Sequence, residues 1–259
     1  MSNSPLVSYT KLSPNYTPGR NHKIDRITPH YVGGNCSVET LGEIFAPTAR
    51  RASSNYGIGS DGRIGMYVEE RSRAWTSGSS YNDNRAITIE CANLSDGSLT
   101  DECWKSLVNL CVDICRRNGI ASLNYTGDDS GNITMHKWYQ DTDCPGPWLS
   151  KQFARLACEV NAKLDNKENV PLPDTHSGFG GCYECMVETL NVRTEPNLSG
   201  GVVAHYHMGE FVNLDNWYES HDGYIWGRYT GNQSGRPRFV AVGRDTGRVE
   251  NDDYLIKIG

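Results

Sequence analysis

The sequence predicts an α/β domain, a mixed central sheet flanked by helices, followed by a small all-β barrel. Three observations carry that expectation. Residues 85–92, RAITIECA, alternate with a period of two, putting Ile87, Ile89 and Cys91 on one side of a strand and Thr88 and Glu90 on the other. Two segments repeat apolar residues at helical spacing: Trp104, Leu107, Val108, Cys111, Ile114 and Cys115, then Phe153, Leu156, Ala157, Val160 and Leu164. After the polar, Pro- and Gly-containing stretch DNKENVPLPDTHSGFGG, helical periodicity stops and only short β-type pieces remain.

The other elements follow in chain order. KIDRITPHY, residues 23–31, reads as a strand ending near a loop. Ser37 then caps a short helix with Val38, Leu41, Ile44 and Phe45 on one face, which Pro47 ends. YGIGSDGRIGMYV reads as a β-hairpin turning at Ser60-Asp61-Gly62. Thr100 caps the first long helix and Gly119 stops it. Residues 1–165 form the α/β domain, 166–182 a linker and 183–259 the barrel, built from pieces such as VETLNVR, GVVAHYH, GEFVNLD, YIWGRYT and RFVAVG.

Composition narrows the function classes. The 259 residues carry 25 basic and 31 acidic side chains, a formal charge of -6, so general electrostatic attraction to nucleic acid or anionic lipid is not expected. No run approaches the ~20 apolar residues of a membrane span, and the opening MSNSPLVSYTKLSPNYTPGR lacks the apolar core of a signal peptide. Nine cysteines, an odd number, exclude a complete disulfide framework, and Cys91, Cys103, Cys111 and Cys115 fall at core positions as small reduced residues.

Zinc hydrolases need two or three imidazole or thiolate ligands on rigid backbone and an open position for water. His30 ends the first strand, and His136 opens HKWYQDTDCPG, in which Cys144 follows eight residues on. By spacing alone these residues are equally consistent with side chains packed in a loop. Cys182-x-x-Cys185 reads as a local disulfide or two free thiols ahead of a redox pair or half a zinc site. His205 and His207 share a strand face that is more simply a solvated barrel surface than a metal site.

The order of the N-terminal segments resembles the zinc amidase family of phage N-acetylmuramoyl-L-alanine amidases and peptidoglycan recognition proteins. An early strand ending in His, a tyrosine-containing hairpin, an Ala-Ile-x-Ile-Glu strand, a long helix and His-x7-Cys-Pro-Gly occur here in that sequence, over about residues 20 to 165. The resemblance implies a cleft in which His30, His136 and Cys144 bind Zn2+, with water in the fourth position. It implies Glu90 as general acid/base, against an exposed strand acid, and Thr142 as a hydrogen-bond donor to the developing oxyanion, against a turn residue. Thr76 stands where relatives often have His, and Ser54 where one phage subgroup has a catalytic tyrosine, with Tyr56 two residues on as core or cleft wall. Asp141 and Asp143 flank Cys144 and are the carboxylate alternatives to it.

The C-terminal segment resembles bacterial SH3-like cell-wall targeting domains through Leu190-Asn191-Val192-Arg193, the Gly209-Glu210 turn and Gly223-Tyr224-Ile225-Trp226-Gly227-Arg228-Tyr229. Tyr206, Trp217, Tyr218, Tyr224, Trp226 and Tyr229 supply aromatic surface for sugar or peptide planes, about half of them being needed to fill the barrel. Together the resemblances imply a peptidoglycan hydrolase of the endolysin kind. It would cleave the amide between N-acetylmuramic acid and L-alanine, with peptidoglycan as substrate and wall ligand. Without a signal peptide it would be made in the host cytoplasm and act at the wall after release. The competing class is a peptidoglycan-binding protein that does not cut.

Overall fold

In a computed structural model of the chain, which describes residues 2–165, 178–231, 234–246 and 254–258, two compact units separate at Val160–Asn161. The first is built on a five-stranded sheet. Its strands are β1 (Tyr9–Thr10), β3 (Arg26–Tyr31), β4 (Tyr56–Ile58), β5 (Ile64–Met66) and β7 (Ala86–Cys91), in the order β1-β5-β4-β7-β3. A separate two-stranded ribbon pairs β2 (Tyr16–Thr17) with β6 (Arg73–Ala74). The main sheet is mixed as expected: β3, β7 and β4 run parallel, β5 returns antiparallel to β4, and β1 adds parallel to β5.

Helices α1 (Val38–Phe45), α2 (Ser80–Arg85), α3 (Asp101–Asn118), α4 (Gly146–Lys151) and the first part of α5 (Phe153–Asp165), which runs past the division, complete this part. Sequence determines their ends through caps. Ser37 accepts a hydrogen bond from the Thr40 amide, and Thr100 from the Cys103 amide, each filling an orphan donor of the first turn. Gly119, left-handed, closes α3 by donating to the Cys115 carbonyl. Cys103, Leu107, Val108, Cys111, Ile114 and Cys115 are buried along α3, and Phe153, Leu156, Ala157, Val160 and Leu164 along α5. Cys91, Cys103, Cys111 and Cys115 are free buried thiols. Among the described residues no helix is long and apolar enough to cross a membrane.

On β7 Thr88, assigned to the side away from Ile87 and Ile89, is fully buried as well. A parallel sheet is covered on both faces, so the period of two here separates an apolar core face from a polar buried one rather than core from solvent. Ser54 donates to the Thr88 carbonyl at 2.9 Å, and the Thr76 and Thr88 hydroxyls share a hydrogen bond of 2.8 Å.

The C-terminal unit is all-β and antiparallel, as an SH3-like barrel requires. Its strands are β8 (Gly181–Cys185), β9 (Thr189–Arg193), β10 (Val202–His207), β11 (Phe211–Leu214), β12 (Tyr218–His221), β13 (Tyr224–Thr230), β14 (Pro237–Arg244) and β15 (Leu255–Ile258). They form a five-stranded sheet, β10-β9-β14-β13-β12, and a three-stranded one, β11-β8-β15. One bulge interrupts β10 between Val202 and Ala204, and another interrupts β14 at Val242, opposite Ile225 and Trp226 of β13. Of the aromatics singled out, Trp226 is fully buried and donates its indole N–H to the His221 carbonyl at 3.0 Å. Tyr206, Trp217, Tyr218, Tyr224 and Tyr229 are half-buried.

Residues 166–177 of the expected linker lie outside the described residues. Its last part belongs to the barrel instead: Phe179 packs in the same core as Trp226, and Cys182 is buried in β8. The run of small and polar residues hid one ring whose burial outweighs its neighbours' composition. A local Cys182–Cys185 pair does not form, since Cys182 is disulfide-bonded and Cys185 is a free thiol directed at the Val187 carbonyl. Trp226→Ala, which empties the largest fully buried side chain of the barrel, should destabilise that unit by about 3–5 kcal/mol, read as a lower denaturation midpoint followed by near-UV circular dichroism.

Candidate metal centre

Strand β3 lies parallel to β7 with His30 directly across from Glu90, and on the other side of β7 Glu90 is across from Gly57. Residues in register share a face, so the imidazole and the carboxylate stand side by side near the carboxyl ends of their strands. The outer side of β3 brings in the next ligand. Ile27 donates to the Asn132 carbonyl and accepts from the Thr134 amide, so residues 132–134 run along β3 and deliver His136 in a 3-10 turn, His136–Trp138. The Lys137 amide then bonds the Cys144 carbonyl at 3.0 Å, folding the chain back on itself.

Cys144 is held from three directions. Its amide donates to Thr142 Oγ1 at 3.3 Å, its peptide to Pro145 is cis, and Gly146 follows with φ of 82°. A Cβ on Gly146 would sit 2.8 Å from Cε2 of Tyr31, so both the left-handed backbone and the ring's approach require glycine here. The result is a compact donor set: ligand atoms of His30, His136 and Cys144 all lie within 4.8 Å of one another. Cys144 Sγ is 3.2 Å from His30 Nδ1, and the two imidazole centroids are 4.9 Å apart. Among the described residues this is the one such cluster, and neither Asp141 nor Asp143, both exposed, is part of it.

The electrostatics ask for a cation. Burial, with the neighbouring His136, keeps His30 neutral by pulling its pKa well below the ordinary value. Burial and the Glu90 charge push the Cys144 thiol up to about 12, against a backbone hydrogen bond from Tyr31 that pulls it down. Burial also raises the Glu90 carboxyl to about 8, partly offset by the positive charge of Arg50. His30 Nε2 is buried with no hydrogen-bond partner among the described residues. Two imidazoles, that of His30 held neutral by its burial, and a thiol that only a positive partner would ionise are the chemistry a zinc ion takes, so the residues present fit that metal.

The remaining singled-out residues divide cleanly. Thr142 is half-buried beside the cluster, its oxygen occupied by the Cys144 amide. Thr76 donates to the Ser53 carbonyl at 2.7 Å, which ties it to the sheet, and Ser54 is buried. Tyr56 is core: fully buried, it donates to Glu70 Oε1 at 2.7 Å and accepts from the Ser4 amide at 2.8 Å. His205 and His207 are exposed, with centroids 6.5 Å apart. The sequence reading gave no part to Arg50, whose charge acts on Glu90, or to Tyr31, which bonds and abuts the Cys144 turn. Only the Pro145-Gly146 pair signalled that something packs there.

Comparison with known proteins bears on this geometry. Residues 20–147, a span that contains His30, Glu90, His136 and Cys144, match the family model described as N-acetylmuramoyl-L-alanine amidase (Amidase_2). The match to this amidase family covers most of the N-terminal unit. No curated protein matches the chain. Among solved structures, it is similar to PlyL, with 16% identity and a TM-score of 0.49 over 62% of this chain and 98% of that one. It is also similar to the N-acetylmuramoyl-L-alanine amidase LysC from Clostridium intestinale URNW, with 22% identity and a TM-score of 0.43 over 62% and 96%. A lysostaphin SH3b domain in a P4-G5 complex is similar over 25% of this chain and 68% of its own, with 24% identity and a TM-score of 0.23.

The Cys144 turn depends on the glycine at position 146. Gly146→Ala should cost roughly 1–3 kcal/mol through the left-handed backbone alone, with the contact on Tyr31 added. Urea unfolding of the amidase unit should register it, and a wild-type midpoint would show that the turn relaxes freely.

Proposed function

We propose that this chain is a peptidoglycan hydrolase. Its N-terminal unit hydrolyses the amide between the lactyl group of N-acetylmuramic acid and the L-alanine of the stem peptide, with Zn2+ held by His30, His136 and Cys144. Its C-terminal barrel keeps the enzyme on the wall. The carrying observation is the convergence of two imidazoles and a thiol within 4.8 Å, beside the strand position of Glu90. Zinc, when bound, supplies Lewis acidity that polarises the scissile carbonyl and brings a water's pKa toward roughly 7.

The chain's own groups account for the remaining steps. His30, on the sheet, and His136 and Cys144, on turns hydrogen-bonded to each other, hold the donor set rigid before substrate arrives. Glu90 takes the proton of the attacking water and returns it to the departing amine of L-alanine, a transfer that needs a carboxylate beside the cluster. The Thr142 hydroxyl, whose oxygen accepts the Cys144 amide, keeps its proton to donate to the carbonyl oxygen as negative charge develops there. In this reading the protein is made in the host cytoplasm and works at the wall after release. Its partner is peptidoglycan, not nucleic acid or membrane.

The deciding experiment joins a zinc determination on the purified chain to mass analysis of digested peptidoglycan. One zinc per chain and free stem peptides beginning with L-alanine are expected. Wall binding without released peptide would make the protein a binder only. His136→Ala should abolish both zinc and lysis. Glu90→Gln should keep zinc and lose on the order of 10² or more in turnover, and wild-type turnover in that variant would return Glu90 to a structural part.

The wall-binding half of the proposal has its own test. Residues 1–165 should cleave soluble muropeptides about as well as the full chain but lag on intact walls, because tethering raises local concentration by a factor that reaches roughly 10². A tagged fragment starting at residue 178, which retains Phe179 in the barrel core, should bind isolated walls. A fragment that stays in solution with every wall type, beside a truncated enzyme as lytic as the whole, would remove the targeting role.

A further inference from the structure

The two imidazoles of the metal centre differ in what stands behind them. His30 Nε2 has no partner among the described residues, whereas His136 Nε2 lies 3.1 Å from Gln140 Oε1. We infer that Gln140 is a positioning residue: its side-chain carbonyl accepts the His136 Nε2 proton, fixes that tautomer and leaves Nδ1 as the nitrogen that binds metal. This rests on the zinc reading above.

A neutral imidazole carries one N–H, and a carbonyl oxygen can only accept. With the proton on Nε2, the lone pair is on Nδ1, the same nitrogen with which His30 faces Cys144. Turning the amide would reverse this. If the Gln140 nitrogen met His136, Nε2 would have to accept, the proton would sit on Nδ1, and no lone pair would remain for a metal. A hydrogen bond to the non-ligating nitrogen also restrains the ring about its own axis and raises the basicity of the ligating one.

The backbone brings Gln140 to this place, since the amides of Tyr139 and Gln140 both donate to the His136 carbonyl, at 2.9 and 3.3 Å, curling the chain through one turn. Gly78 then settles where the side chain lies. Its φ is 68°, and a Cβ there would fall 2.3 Å from Gln140 Oε1 and 3.1 Å from Cδ, so the amide occupies the space that only glycine leaves. Gly78 is in turn fixed by a buried carboxylate. Asp83 of α2 accepts from Ser77 Oγ at 2.6 Å and from the amides of Thr76 and Ser77, and the Ser79 side chain caps the same helix. A continuous path of contacts thus runs from Asp83 through the Thr76–Ser79 loop to the ring of a metal ligand.

The test uses the full-length chain, with zinc affinity measured by competition against a chromophoric chelator and coordination followed by the visible spectrum of the Co2+ form. Gln140→Met keeps the length and removes the acceptor, and should weaken zinc by about 10- to 100-fold and alter the Co2+ bands. Gln140→Glu, which restores an acceptor oxygen, should bind near the wild-type value. Gly78→Ala should weaken zinc in the wild-type background and add nothing on top of Gln140→Met, because both act through the same bond. The metal-free variants at the exposed Gln140 should unfold at the wild-type urea midpoint. Unchanged zinc affinity in Gln140→Met, or equal losses in Gln140→Met and Gln140→Glu, overturns the inference while leaving the metal reading intact. A wild-type chain that takes up no zinc overturns both.

Discussion

A parallel strand pair fixes which side chains stand beside each other, and here β3 meets β7 with His30 across from Glu90. A slip of one residue would turn every side chain of β3 to the opposite face and bring Pro29 or Tyr31 to the place of His30. The later ligands inherit that register, because residues 132–134 bond to Ile27 of the same strand before the chain turns at His136. β3 is the edge strand of its sheet. Pro29, with no N–H to offer, belongs at such an edge, and the chain alongside is free to leave the strand and curl.

Beneath the centre the sheet rests on hydroxyls and amides rather than on hydrocarbon. Thr28 and Thr134 share a hydrogen bond of 2.8 Å, Asn82 Nδ2 reaches Thr28 at 3.0 Å, and Ser54, Thr76 and Thr88 join on the neighbouring strand. Burying so many polar groups is tolerable only when each finds a partner, and a completed network resists rearrangement more firmly than loose apolar packing. A stiff floor suits a cluster such as that of His30, His136 and Cys144, whose donor atoms lie within 4.8 Å of one another.

How much of this was legible depends on the range of the signal. Helix α3 was readable because its caps and apolar stripe are written within twenty residues, and so was the β4–β5 hairpin through its Ser-Asp-Gly turn. The ligands were not readable by spacing: His30 and His136 are far apart in the chain, and it was the resemblance that joined them to Cys144. The burial of Thr88 was not readable, because a period of two names faces without saying what covers them. Helix α2, polar throughout, offered no stripe, and Phe179 was lost in a linker-like composition. Gln140 and Gly78 have no periodic signature, since their relation exists only after the turn at His136 has formed.

Among the described residues, one of the barrel's sheet borders is more apolar than a free edge should be. β10 is the outermost strand of its sheet and exposes Val202 and Val203, the kind of rim on which a second chain can extend a ladder. The bulge between Val202 and Ala204 breaks the even spacing of backbone donors and acceptors where that rim is most apolar. An incoming strand would find its hydrogen bonds out of step after a residue or two. The barrel thereby carries in its own backbone a check against zipping into sheets with other copies of itself.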